Sequence, residues 1–136
     1  MKLIGGFLEL ELFQNSKVYH KKAISLSTGR SCLNYILKSI NPSKIYIPYY
    51  ICEVVIETII SRNIDFEYYE LNNNLEPKNI NLKKDEYLIY INYFGIKNSA
   101  IKQLKRKFNQ NIIIDNSQSF YEKSYSRLWS FNSARK

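Results

Sequence analysis

Residues 27–31 have the composition of a turn that binds phosphate. The segment, Ser-Thr-Gly-Arg-Ser, lies between a short apolar run and the start of a helical pattern. Free backbone N–H groups and the positive end of the helix dipole hold an anion at such a helix start, and Gly29 permits close approach of the backbone. A plain helix N-cap formed by Ser27 or Thr28 would use the same residue types. Neither Gly-x-x-x-x-Gly-Lys nor Gly-x-Gly-x-x-Gly is present.

A carboxylate and an amide follow the apolar run at residues 112–114. Asp115 comes directly after this run, and Gln118 comes three positions later. A carboxylate at a strand end can pair with the protonated ring nitrogen of a bound cofactor. Gln118 could then form a hydrogen bond with a substituent of the same ring. The alternative is a turn cap formed by Asp115, which is common at strand ends.

Two tyrosines follow Pro48 at another predicted strand end. Tyr49 or Tyr50 could stack on a flat ligand, although such residues also cover the end of a sheet. The neighbouring Cys52 has no histidine close in sequence, which argues against a cysteine–histidine nucleophile. Cys32 falls on the apolar face of a helical pattern and is expected in the core.

Lys136 is the last residue of the sequence. A lysine in a partly desolvated pocket can form a Schiff base with an aldehyde. A terminal lysine is ordinarily a solvated residue, so both interpretations stay open.

The elements that must position these residues alternate between strands and helices. Short apolar runs predict strands, and apolar residues three and four positions apart predict helices. Strands are expected at 23–26, 44–47, 65–69, 87–91, 111–114 and 128–131; helices at about 32–40, 51–61 and 98–108; and a polar connection at 72–84. This alternation predicts an α/β fold with a mostly parallel sheet flanked by helices. Ligands bind such sheets at the carboxyl ends of the strands, where the polar segments fall.

Length, composition and charge limit the number of domains and argue against a nucleic-acid partner. The 136 residues predict one domain, and 45% apolar residues are enough for a core. The net charge is +8, but the densest basic group, residues 102–107, has the spacing of a solvated helix face. We expect no nucleic-acid partner, because no recognition-helix or zinc-finger pattern is present.

The same counts bear on membranes, metals and location. No apolar run approaches the ~20 residues of a membrane span, and the start lacks the pattern of a signal peptide. One histidine and two cysteines exclude a disulfide scaffold and a four-thiolate zinc site. We therefore expect no metal, no membrane and a cytoplasmic protein with reduced cysteines.

The order of the polar segments resembles the DegT-type (DegT/DnrJ/StrS) sugar aminotransferases, which are fold-type-I enzymes dependent on pyridoxal 5'-phosphate (PLP). Residues 27–31 look like the family's phosphate-binding turn, and residues 48–52, Pro-Tyr-Tyr-Ile-Cys, look like its segment with the ring-stacking aromatic. Residues 92–95, Asn-Tyr-Phe-Gly, resemble its His-x-Tyr-Gly turn, with asparagine in place of histidine. Residues 114–120 resemble its Glu-Asp-x-x-Gln segment, and residues 129–136 resemble the stretch that leads to the cofactor-binding lysine.

The resemblance implies PLP as the cofactor and a role for each matching residue. Lys136 would be catalytic: it would form the Schiff base with PLP and carry protons. Asp115 would keep the pyridine nitrogen protonated, and Gln118 would contact the ring hydroxyl. The implied cofactor-binding residues are Thr28, Gly29, Arg30, Tyr50, Asp115, Gln118 and Ser130. Two positions depart from the family pattern: Arg135 competes with Lys136 for the lysine position, and the usual aromatic position falls on Cys52.

The resemblance also implies that residues 1–136 form the N-terminal part of a large domain, truncated and without the family's small domain. Intact relatives transfer an amino group from an amino acid to a keto sugar nucleotide and build their sites across a homodimer. The alternative is a non-catalytic α/β module that binds a phosphorylated ligand or a partner chain.

Overall fold

A computed structural model describes residues 19–123 and 125–133 of the chain. Helices and strands alternate along most of this part. The helices are α1 (Gly29–Ile40), α2 (Glu53–Ile60) and α3 (Asn98–Phe108), and a short 3-10 helix spans Tyr93–Gly95. The strands are β1 (Lys44–Pro48), β2 (Asp65–Tyr69), β3 (Glu86–Ile91), β4 (Ile112–Asp115) and β5 (Trp129–Phe131).

The five strands form one parallel sheet in the order β2-β1-β3-β4-β5. Ile91 at the end of β3 pairs with Asp115 at the end of β4, and Asp115 pairs with Phe131 of β5. The chain first runs from β1 to β2 at one side and then continues with β3 on the other side of β1. This reversal of direction opens a crevice at the carboxyl ends of the strands, which is where open α/β sheets bind ligands.

Helices cover both faces of the sheet. On one face, α1 and α2 bury Leu33, Leu37 and Ile59 against β1, β3, β4 and β5. On the other, α3 buries Ile101 and Leu104 against β3 and β4. Because side chains alternate along a strand, Ile113 contributes to the first cluster while its neighbours in β4 contribute to the second. The predicted α/β fold with a parallel sheet flanked by helices is confirmed.

Local sequence explains where the helices begin and end. Thr28 caps α1 by accepting a hydrogen bond from the Ser31 N–H at 3.1 Å, so the N-cap alternative is realised by Thr28. Asn41 ends α1 in the left-handed conformation, with a φ of 44°. Along α3, Lys102, Arg106 and Lys107 are exposed, as expected for a solvated face. In the described part of the chain, no helix is long and apolar enough to cross a membrane.

The strand predicted at residues 23–26 is wrong. This run has no regular secondary structure, and Ile24 and Leu26 are 61% and 41% exposed. A four-residue apolar run carries too little periodicity to specify a strand, and a strand also needs a neighbour to pair with. Among the described residues, the sheet consists of the five strands β1, β2, β3, β4 and β5, and residues 23–26 lie outside it.

Candidate functional site

A cavity of about 580 Å³ lies where the start of α1 meets the carboxyl ends of β3 and β4. Its walls come from α1, the segment before α2, the strand ends and the loop after β4. The lining includes six residues singled out from the sequence: Thr28, Gly29, Arg30, Tyr50, Asp115 and Gln118. We call this space the α1 cavity.

The start of α1 supplies the polar end of the α1 cavity. The Thr28 hydroxyl accepts from the Ser31 N–H and lies 3.0 Å from the Ser31 hydroxyl. The N–H groups of Gly29 and Arg30 belong to the first helical turn, which has no intrahelical acceptors. A Cβ added at Gly29 would have its nearest neighbours at 3.9 Å, so packing within the protein does not require glycine here. The helix start therefore has the donors and the open approach that an anion requires.

Arg30 adds a positive charge at this end. Its guanidinium forms an ion pair with Glu57 of α2 at 3.4 Å, and both side chains are largely exposed. An exposed ion pair of this kind contributes little to stability and can be exchanged for another partner. Arg30 can therefore turn toward an anion at the start of α1.

Asp115 supplies a carboxylate to the wall of the α1 cavity. It ends β4 and is only 6% exposed, yet it lines the cavity. Its Oδ1 accepts a hydrogen bond from the Ser117 N–H at 2.8 Å, so the turn-cap alternative is also realised. Its backbone carbonyl accepts from the Asn92 N–H at 2.9 Å. Strand pairing and this turn together fix the direction of the carboxylate.

The two tyrosines after β1 have different surroundings. Tyr49 stacks on Tyr68 of β2, with ring centroids 4.8 Å apart, and so covers the end of the sheet. Tyr50 lines the α1 cavity and stacks on Tyr93, with centroids 5.6 Å apart and planes inclined by 13°. The Tyr93 hydroxyl donates to the Tyr50 carbonyl at 2.8 Å, and burial raises the pKa of Tyr93 well above its ordinary value. Tyr93 is thus a buried support on which the Tyr50 ring packs at the cavity wall.

Asn92, at the position where the DegT pattern has histidine, takes part in a buried network on the α3 side of the sheet. Its Oδ1 accepts from the Lys97 N–H at 2.9 Å, and its Nδ2 donates to Asn116 and to the Tyr125 hydroxyl. Burial raises the pKa of Tyr125 to about 12. The network joins the segments at the ends of β3 and β4, which carry the cavity residues Tyr93, Asp115 and Gln118.

Three other predicted residues lie elsewhere or outside the described chain. Ser130 lines a second cavity, of about 550 Å³, between β5 and residues 19–26. Ser133 lines the α1 cavity instead. Lys136 and the competing Arg135 lie outside the described residues.

Cys32, Cys52 and His20 lie in different surroundings. Cys52 is exposed and lines the α1 cavity, whereas the His20 Nε2 lies 2.6 Å from the Phe120 carbonyl at the second cavity. Cys32 packs against the core, and burial raises the pKa of its thiol. Cys52 and His20 therefore line different cavities.

Sequence reasoning missed Tyr93 and Ser133. Tyr93 falls at the variable position of the turn at residues 92–95, and only the fold shows that it stacks on Tyr50. Ser133 lies within the stretch 129–136 that resembles the family's serine-containing segment. The resemblance therefore indicated the correct segment but pointed to Ser130, whereas Ser133 is the serine that lines the α1 cavity.

Comparisons with known proteins give matches of structure only. No protein-family profile matches the chain, and no curated protein sequence gives a significant match. A proposed aminotransferase of Burkholderia pseudomallei aligns with a TM-score of 0.56 and 12% identity, over 76% of this chain and 36% of that chain. Two further structures have similar scores. The sugar aminotransferase CalS13 of Micromonospora echinospora aligns with a TM-score of 0.51 and 9% identity, over 68% of this chain and 30% of that one. A proposed sugar aminotransferase of Streptococcus pneumoniae, Spr1654 in its PLP form, aligns with a TM-score of 0.52 and 13% identity, over 66% of this chain and 30% of that one.

These likenesses establish a shared fold. The chain spans about a third of the length of the structures that it matches. Its parallel sheet and flanking helices correspond to that part of an aminotransferase-like fold.

Proposed function

We propose that the α1 cavity binds PLP and that the chain is the N-terminal part of the large domain of a DegT-type aminotransferase. The observation that carries the proposal is the convergence of separate segments on one cavity. Residues 28–30, Tyr50, Asp115 and Gln118 are far apart in sequence and line the same space. The matched structures support it, because two of them are named as sugar aminotransferases, one in a PLP form.

The residues that line the α1 cavity would provide a partner for the phosphate, the ring face and the ring nitrogen of PLP. The first turn of α1, with the Thr28 hydroxyl and Arg30, would hold the phosphate. Tyr50, supported by Tyr93, would cover one face of the pyridine ring. Asp115 would accept a hydrogen bond from the protonated ring nitrogen, and its burial makes that charge pair effective. When bound, PLP acts as an electron sink for carbanions formed on an amino acid.

The remaining roles belong to the same proposal. Lys136 would form the covalent link to PLP and move protons at the substrate carbon. An amino acid would be the donor, and a keto sugar nucleotide would be the acceptor. Completion of the site by a second copy of the chain is also part of the proposal. The activity of residues 1–136 alone is expected to be weak or absent, because the chain spans a third of the matched enzymes.

Titration of the purified chain with PLP tests the cofactor proposal. We expect saturable binding with a visible absorbance band of the bound cofactor. The variant Lys136→Ala should lose this band but retain binding of the phosphate and ring. The variant Asp115→Asn keeps an acceptor for the Ser117 N–H but removes the charge, so it should bind PLP about tenfold more weakly or worse.

The control for this titration is Lys102→Ala, which removes an exposed lysine on α3, away from the cavity. It should bind PLP as the unmodified chain does. An unmodified chain without a band, or a band that survives Lys136→Ala unchanged, would contradict the covalent role. Equal binding by Asp115→Asn would contradict the pairing with the ring nitrogen.

The second candidate is a non-catalytic module that binds a phosphorylated ligand. The polar start of α1 favours it, because Thr28, Ser31 and Arg30 can hold any phosphate. Thermal unfolding separates the two candidates, since a ligand of the folded state raises the midpoint. PLP binding predicts a larger shift with PLP than with inorganic phosphate at equal concentration, whereas a general phosphate site predicts equal shifts.

A further inference from the structure

The turn after β3 has an unusual backbone conformation. Phe94 has a φ of 55°, and Gly95 has a φ of 71°, so two consecutive residues are left-handed. Phe94 is a bulky residue for which this region is costly, and its ring is exposed rather than packed in the core. Something other than burial of the ring must therefore stabilise this conformation.

The hydrogen bonds of this turn show what it holds. The Phe94 N–H donates to Oε1 of Gln118 at 2.9 Å. The Gly95 N–H donates to the Asn92 carbonyl at 3.0 Å, which closes the turn. The Asn92 side chain is fixed in turn by Lys97 and Asn116. The conformation of Phe94 therefore directs one backbone N–H at the side chain of Gln118.

This contact determines which end of the Gln118 amide is available to a ligand. A backbone N–H can only donate, so the oxygen of the Gln118 amide must face Phe94. The amide nitrogen is then the group left to meet other partners, and it can only donate. Gln118 lines the α1 cavity, so a hydrogen-bond donor is presented there.

Gly95 permits the close approach that this arrangement needs. A Cβ at Gly95 would lie 3.0 Å from the Ser119 hydroxyl and 3.6 Å from the Gln118 carbonyl. The turn therefore packs directly on residues 118–119. A side chain at position 95 would both strain the backbone and push the turn away from Gln118.

We propose that the Phe94 N–H is a positioning group that fixes the Gln118 amide with its nitrogen toward the α1 cavity. The site then selects a ligand with a hydrogen-bond acceptor at this point, such as the ring oxygen of PLP. The selectivity rests on the proposed function, whereas the orientation of Gln118 does not. The two parts can therefore be tested separately.

Hydrogen exchange without ligand tests the orientation. The Phe94 N–H should exchange slowly in the unmodified chain and in Gln118→Glu, because a carboxylate also accepts this hydrogen bond. It should exchange at least about tenfold faster in Gln118→Ala, with no change at the Gly95 N–H. Equal exchange in the unmodified chain and in Gln118→Ala would overturn the proposal.

Binding of PLP and of its analogue without the ring hydroxyl tests the selectivity. Gln118→Glu keeps the bond to Phe94 but replaces the donor by an acceptor. We expect the preference for PLP over the analogue to fall by about fivefold or more, the value of one hydrogen bond. The carboxylate also repels the ring oxygen of PLP, which the analogue lacks, so the lost donor and this repulsion lower the ratio in the same direction. Gln103→Glu, on the exposed surface of α3, is the matched control and should leave the ratio unchanged.

An unchanged ratio in Gln118→Glu would overturn the selectivity even if PLP binds well. If the unmodified chain binds neither ligand, the PLP proposal and the selectivity for its ring oxygen both fail. The exchange measurement would still decide whether Phe94 positions Gln118. Failure of the positioning proposal and failure of the proposed function therefore give different results.

Discussion

Two cavities within the described part of the chain have similar volumes, about 580 and 550 Å³, but different construction. The α1 cavity is bounded by the ends of paired strands and by a capped helix start. The second cavity lies between the edge strand β5 and residues 19–26, which have no regular secondary structure. Polar groups of the first are held by backbone pairing, as with Asp115 between β3 and β5. In the second, Ile24 and Leu26 remain exposed.

This difference teaches where a functional site can be preorganised. A side chain at the end of a central strand inherits the direction of that strand, so its position costs little further ordering. A side chain on a segment without pairing has no such support. The α1 cavity can therefore hold a ligand in one geometry, whereas residues 19–26 of the second cavity lack strand pairing.

The largest expected effect compares one aromatic residue from the lining of each cavity, the buried Tyr93 and the exposed Trp129. Tyr93 is 1% exposed, and Tyr93→Ala removes its packing against Tyr50 and Tyr90 together with a hydrogen bond. We expect a loss of about 3–5 kcal/mol in the free energy of unfolding. Trp129 of the second cavity is 37% exposed, and Trp129→Ala should cost only about 1 kcal/mol.

Urea unfolding followed by circular dichroism measures both variants. Tyr93→Phe keeps the ring and should cost about 1 kcal/mol, which separates packing from the hydrogen bond. Equal losses for Tyr93→Ala and Trp129→Ala would contradict the expectation that the burial of each side chain sets its contribution to stability.

The sequence predicted most of the fold because its strands and helices have strong local patterns. The helix expected at 98–108 is α3, and its spacing of Ala100, Ile101 and Leu104 is that of one buried face. Strand β4 follows from three consecutive isoleucines. The strand at 23–26 failed because pairing is a long-range property that a short apolar run does not contain.

The site was predictable where a residue ends a strand or begins a helix. Asp115 and Gly29 occupy such positions, so the topology alone brings them to the same edge of the sheet. Tyr93 was not predictable, because its position beneath Tyr50 depends on how two loops pack. The orientation of Gln118 depends on the left-handed conformation of Phe94, which no local rule expects for phenylalanine.

A smaller effect distinguishes the two serines near the end of β5. Ser133 lines the α1 cavity and Ser130 lines the second cavity, although the family resemblance favours Ser130. We expect Ser133→Ala to weaken PLP binding by about fivefold through loss of one hydrogen bond. Ser130→Ala should bind PLP unchanged in a calorimetric titration. If Ser130→Ala weakened PLP binding and Ser133→Ala did not, the phosphate would lie at Ser130, the residue predicted from the resemblance.

The smallest expected change in stability belongs to Gly29→Ala at the α1 cavity, and its comparison is Gly95→Ala in the turn after β3. Gly29→Ala places a methyl group in ordinary contact, with its nearest neighbours at 3.9 Å, at a helix position where alanine is tolerated. Its free energy of unfolding should therefore change by no more than about 0.5–1 kcal/mol, with any change in the stabilising direction. The same methyl group would occupy the approach to the helix N–H groups, so PLP binding should weaken by about tenfold.

Gly95→Ala is the control, because its φ of 71° and the 3.0 Å distance to Ser119 make it destabilising. Thermal unfolding separates the two variants: Gly29→Ala should weaken PLP binding with no loss of stability, whereas Gly95→Ala should lose stability because it disrupts the turn that positions Gln118.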